Sequence, residues 1–187
     1  MMSQHDLAVI KEWAQILGLF AVIFGLLKAA YEIQQNRKQR ETELLWKKIN
    51  TAKELLNDIH THDLAKQAVH MLDWCEGHAD YWVTPGTREV ISYVDVISAL
   101  RKNHGSPEND KEVFIRDCFD WFFYRVDRIE HYIRRNLIDF ADVESVFRSY
   151  AKQIAKDRQT YEDFLAFHEY DLARQFFDRY GTVNSLQ

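Results

Sequence analysis

From Trp13 to Leu27 the chain carries no formal charge, and its apolar side chains fall on every side of a helix drawn through the segment rather than on one stripe. Within ten positions the pattern turns polar and basic, at Asn36, Arg37, Lys38, Gln39 and Arg40. An apolar rod followed by basic residues predicts a transmembrane helix whose downstream side meets the cytoplasm. The uncharged run alone rises about 22 Å as a helix, short of the roughly 30 Å of hydrocarbon in a bilayer. Extension to Tyr31 brings the rise to about 28 Å and encloses one charge, Lys28, whose long stem carries its ammonium toward the headgroups. Trp13 and Tyr31 then lie at opposite interfaces, the depth that amphipathic rings prefer. The expected order is a short external tail at 1–12 and a transmembrane helix at 13–31.

Beyond the apolar rod the periodicity changes. Nothing between Ala29 and Leu56 stops a helix, so the span is expected to continue as a juxtamembrane stalk helix over 32–59. Leu45, Ile49, Ala52, Leu56 and Ile59 recur at helical spacing along it, a stripe that packs within the domain or pairs with another copy. A second helix is predicted from Asp63 to Cys75. Tyr81-Trp82-Val83 and Arg88-Glu89-Val90-Ile91 then flank Pro85-Gly86 as two short strands about a turn. Ser92 with Asp95 is the signature of a capped helix over 93–102. Asn103 to Asn109 is a loop, with Ser106-Pro107 opening the strongest helix of the chain, from Glu108 to Arg135. Along that helix Ile115, Phe119, Phe122, Val126, Ile129 and Ile133 form a core stripe, widened by Phe114, Cys118 and Trp121. Asp139 with Asp142 starts an amphipathic helix to about Ala155, and helices at 160–167 and 171–180 follow, with Gly181 as a C-terminal stop. The fold class is therefore mostly α: a transmembrane helix and stalk, then a cytosolic helical domain at 60–181 with a short β-hairpin, and a loose tail at 182–187.

Charge changes this picture in two ways. Lys11 is the only basic side chain before the rod, whereas Lys28, Arg37, Lys38 and Arg40 flank its far end, so the N-terminus is expected outside and the domain in the cytoplasm of a bacterial inner membrane. The stretch Met1 to Asp6 is not basic and no small-x-small site precedes the charged region, so a cleavable signal is not expected. The first 43 residues carry as many acidic as basic side chains, and the net charge of −5 falls on the remainder. An acidic domain lacks the concentrated positive charge that phosphates demand, which argues against nucleic acid as a partner. Cys75 and Cys118, without a CxxC pair, read as reduced buried thiols. Within the rod, Ala14, Gly18, Ala21, Gly25 and Ala29 draw a line of small side chains along one face, where a second helix can approach closely.

Candidate chemistry adds little. His60-Thr61-His62-Asp63 resembles a histidine-rich metallohydrolase loop but lacks its further Asp-His pair, and with His70, Cys75 and His78 it forms a cluster of ligand types that solvated helix positions explain better. The segment 136–143 lacks the oxygen ladder and central glycine of an EF-hand. There is no P-loop, GxGxxG or GxSxG. Asp117, Asp120, Asp127 and Glu130 sit at helical spacing among arginines and read as a solvated, ion-paired face, with Arg116 to Asp120 and Glu130 to Arg134 as pairs. No catalytic residue, cofactor or metal ligand is assigned.

At Leu72-Asp73-Trp74, at 114–123 (FIRDCFDWFF), at 128–133 (RIEHYI) and at 137–140 (LIDF) the chain resembles small bacterial single-span membrane proteins grouped as a domain of unknown function. That resemblance implies one N-terminal span, a basic stalk and a cytosolic helical domain, and it brings no functional residues with it. The expected function is a membrane-anchored, non-enzymatic scaffold or regulatory module in bacterial stress or defence, with the lipid bilayer, itself as a homo-oligomer, or another membrane or cytosolic protein as partner. Two alternatives stand beside it. One is a ligand-gated membrane effector sensing a nucleotide-like signal through Arg134-Arg135 or Arg125 with Arg128. The other is a zinc-dependent hydrolase built on His60 to His78.

Overall fold

A computed structural model of the chain describes the backbone of residues 4–73, 79–101, 107 and 109–181, with side chains except at 4–16, 19–21 and 79. The absence of helix breakers after Gly25 has its consequence in α1, a single helix of 58 residues, Gln4–Thr61. Two compact units divide the chain, Met1–Lys47 and Lys48–Gln187.

In the first unit the described side chains of α1 are exposed. Leu17 is 65% exposed and Phe24 74%, and Val22, Ile23, Leu26, Leu27, Tyr31 and Ile33 are exposed with them. Lys28 pairs weakly with Glu32 one turn on, at 3.8 Å. Among the described residues no helix is long and apolar enough to cross a membrane. The transmembrane helix expected at 13–31 is therefore not shown. The side chains of 13–16 and 19–21 lie outside the described residues, and the described remainder holds an unbroken apolar run only from Val22 to Leu27 before Lys28 interrupts it.

In the second unit the last turns of α1 join a helical core. Ala52, Leu55 and Ile59 are buried there, whereas Leu45 and Ile49 of the expected packing stripe remain exposed and Leu56 is half-buried. The stripe thus turns by one position as it enters the core. Helix α2, Asp63–Asp73, follows after one residue and buries Ala65, Ala68, Val69, Met71 and Leu72 against later elements. Strands β1, Ala79–Thr84, and β2, Thr87–Ile91, pair antiparallel with Trp82 opposite Arg88. Gly86 takes φ of 90° at their turn, a conformation that costs a residue without Cβ nothing.

Helix α3, Tyr93–Ala99, opens with the expected reciprocal cap: the Ser92 N–H donates to the Asp95 carboxylate at 2.8 Å, and the Asp95 N–H donates to the Ser92 hydroxyl. Helix α4, Asp110–Arg134, starts two residues later than expected, because the Asn109 side chain accepts from the Glu112 N–H at 2.9 Å and so caps the first turn. Of the loop preceding it, 102–106 and 108 lie outside the described residues. Ile115, Phe119, Phe122, Val126 and Ile129 are buried as the spacing predicts, with Ile133 at the edge of the core.

Three helices pack around α4 or its neighbours after a single 3-10 turn at Phe140–Asp142: α5, Glu144–Lys156, α6, Arg158–Phe167, and α7, Asp171–Gly181. Phe123, off the expected stripe, meets Tyr161, Phe164, Tyr170 and Phe177 with ring centroids 5.9 to 6.4 Å apart. Offset and edge-on ring pairs of this kind add to the burial term of the core. Gly181 is not a left-handed stop; it belongs to α7, and a Cβ there would collide with the Ala151 carbonyl and the Ala155 side chain of α5. Close helix approach explains the glycine.

Candidate functional site

Helix α4 gathers the polar contacts of the second unit, and they differ from the solvated ion-pair face expected of it. Asp120 accepts from the Tyr170 hydroxyl at 2.7 Å, and the Asp127 carboxylate accepts the N–H groups of Leu172 and Ala173 at 3.0 and 3.1 Å. A carboxylate of one helix thereby caps the first turn of another, where the helix dipole favours negative charge. Glu130 is wholly buried and is held by Arg134 at 3.0 Å and Arg179 at 2.9 Å. The pairing of Glu130 with Arg134 is as expected, and its burial is not. Arg116 donates its Nε to the Ala99 carbonyl at 2.8 Å, tying α3 to α4.

Of the arginines that an anion-binding site would need, Arg125, Arg128 and Arg134 are already engaged, while Arg135 is exposed. Arg125 and Arg128 converge on one carboxylate, Asp58, at 3.2 and 3.1 Å, and Arg125 also donates to the Asp58 carbonyl at 3.3 Å. Their guanidinium groups lie over Trp121 and Tyr124, 5.1 and 5.9 Å from the ring centres. Asp58 closes this cluster from α1, across a separation in sequence that no local pattern announces. A hollow of about 210 Å³ beside it is lined by Thr51, Glu54 and Tyr132 as well as Asp58 and Arg128. Its acidic members leave no net positive charge to attract a phosphate.

The described histidines of the segment 60–78 do not form a metal-binding group. His62 accepts from the Ala65 N–H at 3.4 Å, where α2 begins, and its ring lies 4.5 Å from that of Trp121. His60 and His70 are exposed, and Cys75 and His78 lie outside the described residues. Among the described residues no group of three or more His, Cys, Asp or Glu side chains is placed to hold a metal ion. Cys118 is buried, and burial followed by the charge of Asp117 pushes its thiol far above the ordinary range. Burial, then Asp73, raises the Tyr150 hydroxyl to about 12.

The small-residue face of α1 is open where it is described. Gly18, Gly25 and Ala29 are exposed, and a Cβ at either glycine would meet nothing within 4 Å. Ala14 and Ala21 have side chains outside the described residues. Arg37, Lys38 and Arg40 project as exposed residues further along.

One recess of the second unit was not anticipated from sequence. A groove of about 530 Å³ runs between the hairpin, α2 and the first turns of α4. Its apolar wall comprises Leu64, Trp82, Val83, Pro85, Val113 and Phe114. Asp110 and Asp117 stand in the same groove, two helical turns apart with Val113 and Phe114 between them, because residues at i, i+3, i+4 and i+7 share one helix face. The available signal was Trp82, on a strand whose alternation buries Tyr81 and Val83 and turns the tryptophan outward, 63% exposed. Against this geometry no family model, no curated protein and no solved structure matches the chain.

Proposed function

We propose that the chain is a membrane-anchored, non-enzymatic scaffold or regulatory module. On this reading the N-terminal part of α1 sits in a bacterial inner membrane with its N-terminus outside, and the second unit works in the cytoplasm by association with other proteins. The observation that supports it is the exposure of Leu17, Val22, Ile23, Phe24, Leu26 and Leu27 on a helix. Transfer of these six side chains out of water is favourable by roughly 10 kcal/mol in total, at about 1.5–3 kcal/mol for each when fully buried. Such a driving force recruits lipid or further helices. The basic residues Lys28, Arg37, Lys38 and Arg40 on the downstream side set the orientation, and the open face at Gly18, Gly25 and Ala29 admits a second copy at close range.

Fractionation tests the reading. After lysis and ultracentrifugation the full chain is expected in the membrane pellet, resistant to an alkaline carbonate wash, and to migrate in mild detergent as more than one copy. Recovery in the aqueous supernatant would remove the anchor, and a single copy in detergent would remove self-association.

A further inference from the structure

The groove between the hairpin and α4 combines three properties that rarely coincide on a surface serving no contact. It is walled by apolar side chains, of which Trp82 and Val113 are 63% and 41% exposed. Two carboxylates, Asp110 and Asp117, stand in it, and no Lys, Arg or His is among its described lining residues. Neither carboxylate makes an ion pair or hydrogen bond with a described residue. Two cations on the hairpin and α4 are turned to other partners: Lys111 lies 3.4 Å from Glu89 and 3.7 Å from Asp95, and Arg88 lies over Trp82 while approaching Asp80 at 4.0 Å. Arg116 is turned to the Ala99 carbonyl.

We propose that this groove docks a peptide segment of a partner protein in which apolar side chains are bracketed by Lys or Arg, the apolar groups covering Trp82, Val113 and Phe114 and the cations meeting Asp110 and Asp117. Charge complementarity selects this occupant. An acidic or neutral apolar segment would cover the same wall but leave two carboxylates desolvated without a partner, which costs free energy. Along α4 the two carboxylates are about 10.5 Å apart, with the apolar contacts between them, so the order acid, apolar, apolar, acid is matched by base, apolar, base. Burial, and then the neighbouring charge of Asp120, already raises the Asp117 carboxyl above its ordinary value. A bound cation would lower it again.

This inference rests on the reading of the chain as an interaction module and names the chemistry of its partner. The test uses the full chain in neutral detergent micelles and a fluorescein-labelled ten-residue peptide, KAVLRKAVLR, with EAVLEEAVLE as the acidic control, followed by fluorescence anisotropy. Saturable binding of the basic peptide, weakened at least tenfold in Asp110→Asn/Asp117→Asn and by raising salt, and absent with the acidic peptide, is the expected result. Trp82→Ala is expected to weaken it by a similar factor with the salt dependence intact. Circular dichroism melts of each variant check that the fold is retained. No binding of the basic peptide, equal binding of both peptides, or equal binding to the Asn variant would overturn the proposal. Because these readings are taken in detergent, they are independent of whether the chain pellets with membranes, so the two readings fail separately.

Discussion

Two helices of this chain are rich in large apolar side chains, yet they stand in opposite circumstances. Along α4, Phe119, Phe122 and Phe123 are wholly buried, and Arg125, Glu130 and Glu112 are drawn inside with partners. Along the first unit of α1, Leu17 and every residue from Val22 to Leu27 are exposed, and the described ion pairing is one weak i,i+4 contact. What separates them is that the apolar residues of α4 repeat on one side and meet surfaces supplied by α2, α5, α6 and α7, whereas those of α1 fall on every side of the helix and the described ones are exposed. The second unit is stabilised from within, whereas the described large apolar side chains of the first are exposed.

Substitutions can break this contrast at either end. Phe123→Ala removes the ring that meets Tyr161, Phe164, Tyr170 and Phe177, and is expected to destabilise the second unit by about 3–5 kcal/mol in urea unfolding. The matching Phe24→Ala is expected to leave that unfolding unchanged within about 0.5 kcal/mol and to reduce membrane recovery instead. Glu130→Ala leaves Arg134 and Arg179 without their shared carboxylate and is expected to cost about 2–3 kcal/mol by the same measurement. Gly181→Ala forces α7 away from α5, at about 1–3 kcal/mol. Asp127→Ala removes the cap on α7, at about 1 kcal/mol, seen as faster amide exchange at Leu172 and Ala173.

The smallest expected effect is a pH dependence. Tyr150 and Tyr170 hold their protons more tightly folded than unfolded, burial being the main cause and the carboxylates of Asp73 and Asp120 the next. Their contribution is complete below the ordinary tyrosine range near pH 10 and is lost as pH rises through about 12 for Tyr150. Melting temperature is therefore expected to fall in that alkaline window, and Tyr150→Phe to flatten the fall.

The elements were legible where local patterns decide them. Ser92 with Asp95, the Pro85-Gly86 turn, the uninterrupted α1 and the stripe of α4 all depend on neighbours within a few positions, and sequence carries that information directly. The polar interior was not legible. Asp58 reaches Arg125 and Arg128 from another helix, and Asp127 caps a helix that begins more than forty residues away. Glu130 looks like one half of an exposed pair until Arg179 arrives from α7. The groove at Trp82 was hidden for the same reason, since its two walls belong to elements that only the fold juxtaposes. Gly181 is the last described residue of α7, where the sequence places its stop, but the collision with α5 that explains the glycine is visible only in three dimensions.

Amide hydrogen exchange of the full chain, followed by mass spectrometry with and without phosphatidylethanolamine and phosphatidylglycerol vesicles, tests the contrast most directly. The expected result is strong protection across α4 in both conditions, and protection across 13–31 that is slight in aqueous buffer and rises by orders of magnitude with vesicles. Equal protection of 13–31 with and without lipid would contradict it.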